Sequence, residues 1–388
     1  MSKKIKNICI ITDAYPTPDD PKNPFIDQLV VAFAEKNINC TVINPVSVTK
    51  KIIRKSVLRP KQWSKKTLNN KIQIYSPRYV TFSSKKFGFI NTNTLNLKFF
   101  EYSCIKMLKK LNIKFDAIYG HFIFPSGISA STISKKFNIP AFFAYGENTN
   151  YTIDYLGKKR TRELLKDISG VVSVSTANKE ILVEQNIVPE QKIKVFPNSI
   201  NNKLFYKRDK DKMREKYGLP KDAFIVAFVG RFVEVKGANR LAKAIEKVGA
   251  NKIKSVFIGF GNVRPNCDGI LFEGKQPHDK IPELLSAADV FVLPTLAEGC
   301  CNSIIEAMAC GLPIISSNRS FNDDILDETC SIRIDPTNID EIAKAIEKVY
   351  EDDELRVRLS KGSLEKSKSL NIEERAENIL GFIKGNLQ

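Results

Sequence analysis

The strongest constraint on this chain is the order in which short apolar runs alternate with amphipathic helical stretches. "NICIIT" (7–12) precedes the helical "FIDQLVVAFAEKN" (25–37), and "CTVINP" (40–45) follows. Further on, "FDAIYG" leads to "SGISASTISKKF", then come "IPAFFAYG", "GVVSVS" with "ANKEILVEQ", and "IKVFPN". Apolar runs joined by helices through short connections are strands of a doubly wound parallel sheet. A second series starts after the charged stretch 201–222, which reads as a linker. It runs through "AFIVAFVGR", "GANRLAKAIEKVG", "KSVFIGFG", "KIPELLSAA", "DVFVLPT" and "LPIISS", and residues 338–388 are helical by pattern. The expected fold class is therefore α/β, with two Rossmann-like domains at 1–197 and 198–370. Their parallel sheets would face a central cleft, where ligands of such sheets tend to bind. Segment 46–100 breaks the rhythm, being polar and basic with Pro60 and Trp63, and reads as an insertion or an exposed amphipathic element.

Composition bounds the function. A hydrophobic fraction of 43% and a charged fraction of 27% over 388 residues suit a soluble protein with two cores. The N-terminal "MSKKIKNICIITDAYP" has too short an apolar run for a signal peptide, and no stretch reads as a membrane span. The 8 cysteines are scattered and without a C-x-x-C pair, as expected of neutral thiols in a reducing cytoplasm. With 2 histidines the chain has no transition-metal constellation. "DKD" at Asp209–Asp211 sits in a lysine-rich stretch and reads as a charge run, and no Ser-His-Asp arrangement is readable. The charge is uneven: residues 1–200 hold 32 Lys and Arg against 14 Asp and Glu, whereas the rest is balanced. Such asymmetry points to an anionic partner for the N-terminal half.

Two loops carry chemistry. In "VLPTLAEGCCNSIIEAMACGLPIISSN" (292–318) the strand should end at Pro294, and a helix should begin at Asn302 or Ser303, both good N-caps. The helix start is an anion seat, and the small side chains of Gly299, Cys300 and Cys301 let a ligand approach the backbone. Glu298 lies in the loop and Glu306 about one turn into the helix. Glu306 also fits a capping box with Ser303, an alternative the sequence leaves open. In "FVGRFVEVKGANRL", Arg231 lies just past a strand end and Lys236 before a helix start. A planar guanidinium and a point charge suit a diphosphate without a metal, though each taken singly could be a solvated surface charge.

These segments carry a resemblance. "GRFVEVKG", "FIGFGN", "ILFEGKQPHDKIPELLSAADVFVLPTLAEGCCNSIIEAMACGLPIISSN" and "VFPNSINNKLF" resemble the C-terminal half of the family-4 glycosyltransferases of the GT-B fold. Glu298 and Glu306 match that family's E-x7-E motif. "TDAYPTPDDPKNPFIDQLVVAFAEKNINCTVINP" and "DAIYGHFIFPSGISASTISKKFNIPAFFAYGEN" are similar to its acceptor-side domain. The resemblance implies a retaining, metal-independent transferase that uses a nucleotide-sugar, a UDP-sugar foremost, and no cofactor. It implies that Arg231 and Lys236 hold the diphosphate, that Glu306 accepts the ribose hydroxyls and that Glu298 meets the donor sugar. The backbone of Gly299, Cys300, Cys301, Asn302 and Ser303 would bind sugar or phosphate oxygens, and Phe272 to Gly274 would lie near the base. The last helix, around 371–388, would cross back onto the N-terminal domain.

The chain also departs from the family. Tyr145-Gly146-Glu147-Asn148 stands where relatives show His-Gly-x-Asp, so Tyr145 and Glu147 become candidates for acceptor binding. "PKNPF" lacks the glycines common in the first loop, which leaves Asn23 or Pro24 to serve there. His121, after "DAIYG", occupies a position where a family histidine is common and is a candidate catalytic residue. His278 falls near the base loop and reads as a surface or capping residue. "KKIIRKSVLRPKQWSKK" (50–66) mixes cations with apolar residues and fits an anionic membrane surface. The expected setting is thus cytoplasmic and peripheral to the inner face of the membrane, with a glycan or lipid-linked acceptor. A sugar phosphorylase or sugar-nucleotide epimerase on the same scaffold is the competing enzyme class. A nucleic-acid-binding protein is the non-enzymatic one, disfavoured because no RNA or DNA module is recognisable.

Overall fold

A computed structural model describes residues 4–17, 23–49, 59–82, 86–87, 90–147, 149–249 and 251–387. The chain forms two compact units. One comprises Met1–Val174, Asn178–Phe196 and Ala376–Gln388; the other comprises Ser175–Ala177 and Pro197–Arg375.

The first unit contains β1 (Asn7–Ile11), β2 (Asn39–Ile43), β3 (Val46–Ser47), β4 (Gln62–Lys66), β5 (Lys71–Tyr75) and β6 (Arg78–Tyr79). It continues with β7 (Lys86–Phe87), β8 (Ile90–Asn91), β9 (Ala117–His121), β10 (Ala141–Tyr145), β11 (Gly170–Ser173) and β12 (Ile193–Val195). Its main sheet has the order β12-β11-β10-β9-β1-β2-β5-β4. All its pairs are parallel except the edge pair β4 with β5. The central strands are apolar on both faces because helices cover both sides, and Ile8, Cys9, Ile10, Ile11, Phe142 and Phe143 are fully buried.

The region expected to be an insertion is in part a piece of this sheet. In "KIQIY", Ile72 and Ile74 are fully buried, and β5 pairs in parallel with β2 through Thr41 and Gln73. Two isoleucines alternating with polar residues make one apolar face, and the helix Pro24–Glu35 lies against it. Trp63 is on the edge strand β4, opposite Ile74. Residues 50–58 of the basic segment lie outside the described residues.

The final helix, Ile372–Gly385, belongs to the first unit from Ala376 on. Ala376, Ile379 and Ile383 are buried, and the Phe382 ring meets Phe142 edge-on at 5.8 Å. Gly170 makes room for that ring, since a Cβ there would stand 2.6 Å from Phe382 Cζ.

The second unit has β13 (Phe224–Phe232), β14 (Ile253–Gly261), β15 (Ile270–Gly274), β16 (Val290–Leu293), β17 (Ile314–Ser317) and β18 (Ser331–Ile334). Their order is β15-β14-β13-β16-β17-β18, parallel throughout. The charged stretch before β13, read from sequence as a linker, is docked structure. Asp209 caps the helix Lys210–Tyr217 by accepting from the Lys212 N–H at 3.0 Å. Arg214, only 2% exposed, donates to Asp289 at 2.6 Å and to the Ala287 carbonyl at 2.9 Å. Alternating charge hid the inward face of this helix from a reading of periodicity. Among the described residues, no helix is long and apolar enough to cross a membrane.

The C-terminal helix is held to the first unit by apolar burial, so Ile379→Ala should destabilise that unit by about 2–5 kcal/mol. Urea unfolding followed by circular dichroism would register the loss as a lowered midpoint.

Candidate functional site

In the second unit the winding reverses between β13 and β16, which are adjacent in the sheet. Loops leaving the carboxyl ends of such a pair diverge and leave backbone groups open to a ligand. After β13 the chain makes a 3-10 turn, Glu234–Lys236, and enters the helix Ala238–Val248. After β16 it runs through Thr295–Cys301 into the helix Asn302–Ala309. Hydrogen bonds join the two loops. The Leu296 N–H donates to the Val235 carbonyl at 2.8 Å, and Thr295 Oγ1 donates to the same oxygen at 3.2 Å. Gly237 permits the approach: its φ is 80°, and a Cβ there would stand 2.4 Å from the Pro294 carbonyl oxygen.

Lys236 and Glu298 form an ion pair in this junction, and Thr295 Oγ1 lies 3.3 Å from the same Glu298 oxygen. Their side chains are 18% and 9% exposed. Burial alone would pull the Lys236 pKa down, but the carboxylate of Glu298 beside it holds it above its ordinary value. Arg231 acts on Lys236 in the opposite sense, which places the two cations near one another. Arg231 itself lies inside the end of β13, opposite Phe260, rather than past the strand, and its side chain is exposed.

The helix begins at Asn302 with Cys301 as its N-cap, and no side chain caps it. The capping box of Ser303 and Glu306 therefore does not form, because three residues beyond Cys301 is Ile304. Glu306 is instead buried, and its Oε1 accepts a hydrogen bond from His278 Nε2 at 3.0 Å. A carboxylate only accepts, so Nε2 carries the proton. Burial would lower the His278 pKa, but the bond to Glu306 and the charges of Glu306 and Asp279 raise it above its ordinary value. The expectation of a surface or capping role for His278 is thus corrected: its partner is the second glutamate of the motif.

Cys300 and Cys301 are buried, and burial pushes both thiols up to about 12, so they are neutral. Asn198, which the sequence did not single out, fixes their loop. Its Nδ2 donates to the Cys300 carbonyl at 3.1 Å, and its N–H meets Cys300 Sγ at 3.3 Å. Gly299 is buried, Ser303 Oγ lies 3.3 Å from Cys301 Sγ, and Asn302 Oδ1 is buried without a hydrogen-bond partner among the described residues. Phe272 and Gly274 stand on β15, two strands from β13.

The first unit holds the other candidates at the carboxyl ends of its strands. His121 ends β9, is buried, and packs within an aromatic group of Phe25, Tyr119 and Phe122 at 5.6–6.0 Å. Asn23 takes the left-handed conformation (φ 55°) that a glycine would otherwise fill, and Pro24 opens the following helix. Tyr145 ends β10 but is 1% exposed and belongs to the apolar core, so its ring is not presented to a ligand as expected. Glu147, two residues on, accepts from the Ile123 N–H at 2.9 Å, while its Oε2 is buried without a partner among the described residues. Burial raises its pKa to about 7 against that hydrogen bond.

The pattern of the family described as "Glycosyl transferases group 1" matches residues 209–366. That match spans most of the second unit. The putative teichuronic acid biosynthesis glycosyltransferase TuaC of Bacillus subtilis is 28% identical over 360 residues, 89% of each chain. The UDP-Gal:alpha-D-GlcNAc-diphosphoundecaprenol alpha-1,3-galactosyltransferase of Escherichia coli is 28% identical over 71% of this chain and 76% of its own. The sucrose-phosphate synthase of Thermosynechococcus elongatus has the same fold, with a TM-score of 0.76 and 20% identity over 96% of this chain and 97% of its own. The chain is a glycosyltransferase with the two-unit GT-B fold.

In this glycosyltransferase Glu147 gives the first unit a pH-dependent stability. Its folded pKa of about 7 exceeds the ordinary 4.5. Between those values the unfolded chain releases the proton first, so stability falls as pH rises through the window and stays lost above it. Glu147→Gln keeps the acceptor for Ile123 and removes the titration. Its stability should match wild type near pH 4.5 and exceed it at pH 8 by on the order of 1 kcal/mol or more, read in thermal unfolding as a raised melting temperature at pH 8.

Proposed function

We propose that this glycosyltransferase moves a sugar from a nucleotide-sugar, a UDP-sugar foremost, to a glycan or lipid-linked acceptor in cell-surface polysaccharide synthesis. The observation that carries the reading is the junction after β13 and β16, where Lys236, Glu298 and the start of the helix Asn302–Ala309 converge. The names of the Bacillus and Escherichia relatives support the donor and acceptor classes.

Arg231 and Lys236 hold the diphosphate, Lys236 exchanging Glu298 for phosphate oxygens as the donor enters. Glu298, released from Lys236, meets the sugar hydroxyls. The first-turn amides beyond Cys301, which have no intrahelical acceptor, receive sugar or phosphate oxygens, with Gly299 and the small neutral Cys300 leaving the backbone accessible. Asn302 and Ser303 complete that seat. Glu306 accepts the ribose hydroxyls, and β15 around Phe272 and Gly274 lies towards the base. The bond from the sugar carbon to the diphosphate breaks as the acceptor oxygen bonds the same carbon on the same face. The acceptor proton passes to the departing diphosphate oxygen, so configuration is retained. The two cations and the helix amides stabilise the growing negative charge without a metal. In the first unit, Asn23 and Glu147 are the acceptor-binding candidates and His121 is the candidate catalytic residue.

The enzyme docks as a peripheral protein on the inner face of an anionic membrane. Besides the basic segment 50–66, the support is a 770 Å³ groove between β6 and the helix Thr92–Leu111. Lys61, Arg78, Lys106 and Lys110 line it beside the exposed Phe99 and Tyr102. Cations around exposed aromatic rings suit phospholipid headgroups, each adding about 1 kcal/mol near the surface. Flotation with phosphatidylglycerol vesicles should recover the wild type, and Tyr102→Glu with Lys106→Glu should leave it unbound. Equal recovery on neutral phosphatidylcholine vesicles would refute an electrostatic dock.

Calorimetric titration with UDP, GDP, ADP and dTDP in EDTA tests the donor site. One nucleotide should bind at micromolar concentration, and Glu306→Ala should weaken it at least tenfold. Binding indifferent to Glu306, or no binding by any nucleotide, would remove the assignment.

A further inference from the structure

Glu306 has a partner whose chemistry the proposed donor site leaves unused. Its side chain projects from the second turn of the helix Asn302–Ala309 and is 10% exposed. Among the described residues, His278 alone shares a hydrogen bond with it. A glutamate has three rotatable bonds, so a carboxylate meant to receive two hydroxyls at fixed angles loses selectivity unless one oxygen is pinned.

The pin is well supported. His278 comes from the loop between β15 and the helix Ile281–Ser286, which turns back through the Lys280 N–H to the Pro277 carbonyl at 2.9 Å. The imidazole lies edge-on to Phe205 at a centroid distance of 5.1 Å, and Phe205 is itself 1% exposed. The charged groups acting on the ring are Glu306, from the helix it faces, and Asp279, from its own loop. The segment carrying Phe205 presents an uncharged ring. The imidazole is thus fixed by an aromatic wall on one side and a carboxylate on the other.

We propose that His278 is a positioning residue for nucleotide recognition. Its Nε2–H holds Glu306 Oε1 and thereby keeps the other carboxylate oxygen aimed at the ribose hydroxyls, which makes His278 a determinant of ribose over deoxyribose selectivity. This rests on the reading of Glu306 as the ribose acceptor. The distinction is large where a buried charged acceptor would otherwise lose a hydroxyl donor and have no other group to take its place.

The test is calorimetric titration of UDP, 2′-deoxy-UDP and UMP against wild type, His278→Asn, His278→Gln and Glu306→Ala. GDP or ADP with its deoxy form takes UDP's place if it is the nucleotide that binds. The Gln amide reaches the position of Nε2 and the Asn amide is too short, so the two variants differ in reach and not in polarity. Wild type should prefer the ribonucleotide by tenfold or more. His278→Asn should reduce that preference to threefold or less, with the ratio of UDP to UMP affinity unchanged, and His278→Gln should restore most of it. If Glu306→Ala abolishes the preference while His278→Asn keeps it, the positioning role is overturned and the ribose site stands. If Glu306→Ala keeps the preference, or no nucleotide binds, the ribose reading falls and the positioning role falls with it.

Discussion

A single backbone hydrogen bond, from Leu296 N–H to the Val235 carbonyl, joins the two loops on which the donor-side geometry depends. It links the turn after β13 to the loop after β16 at the place where the winding of the sheet reverses. Thr295 reinforces it on the same oxygen, and Arg240 donates to the Pro294 carbonyl at 2.9 Å. Because a Cβ at position 237 would collide with Pro294, the approach also requires a glycine. Residues far apart in sequence, Lys236 and Glu298, are thereby held as an ion pair.

Electrostatics then separates the three carboxylates at strand or helix ends by the company each keeps. Glu298 has a cation, Glu306 has an imidazole N–H, and Glu147 has backbone N–H groups, that of Ile123 foremost. Glu147, with only backbone amides to offset its burial, is driven towards its neutral form. Two neutral thiols between Glu298 and the helix add no competing charge, so the positive helix start and the two cations define the local field.

The sheets were legible in sequence because fully buried parallel strands are continuous apolar runs, and runs such as "NICII" and "VFVL" have no competing reading. Legibility failed where the apolar signal was thin. "KIQIY" carries only two buried isoleucines, and the helix Lys210–Tyr217 is anchored by Arg214, a charged residue turned inward. The site was legible in the same graded way. The spacing of Glu298 and Glu306 and the placement of Arg231 and Lys236 marked the loops, but sequence could not choose between a capping box and a ligand-facing glutamate. That choice turned on two residues of helix register, since the cap is Cys301 and not Ser303.

By itself the sequence determined the alternation of strands and helices, the family resemblance and the positions of the two glutamates and two cations. These are local properties: apolar runs, helix periodicity, and residue types at fixed spacing. Only the tertiary structure decided which groups meet. It paired Lys236 with Glu298 and His278 with Glu306, placed Asn198 on Cys300, and turned Tyr145 into the core. Such pairings depend on the order of strands in a sheet and on side-chain reach across 28 to 102 positions of chain, which no local pattern encodes.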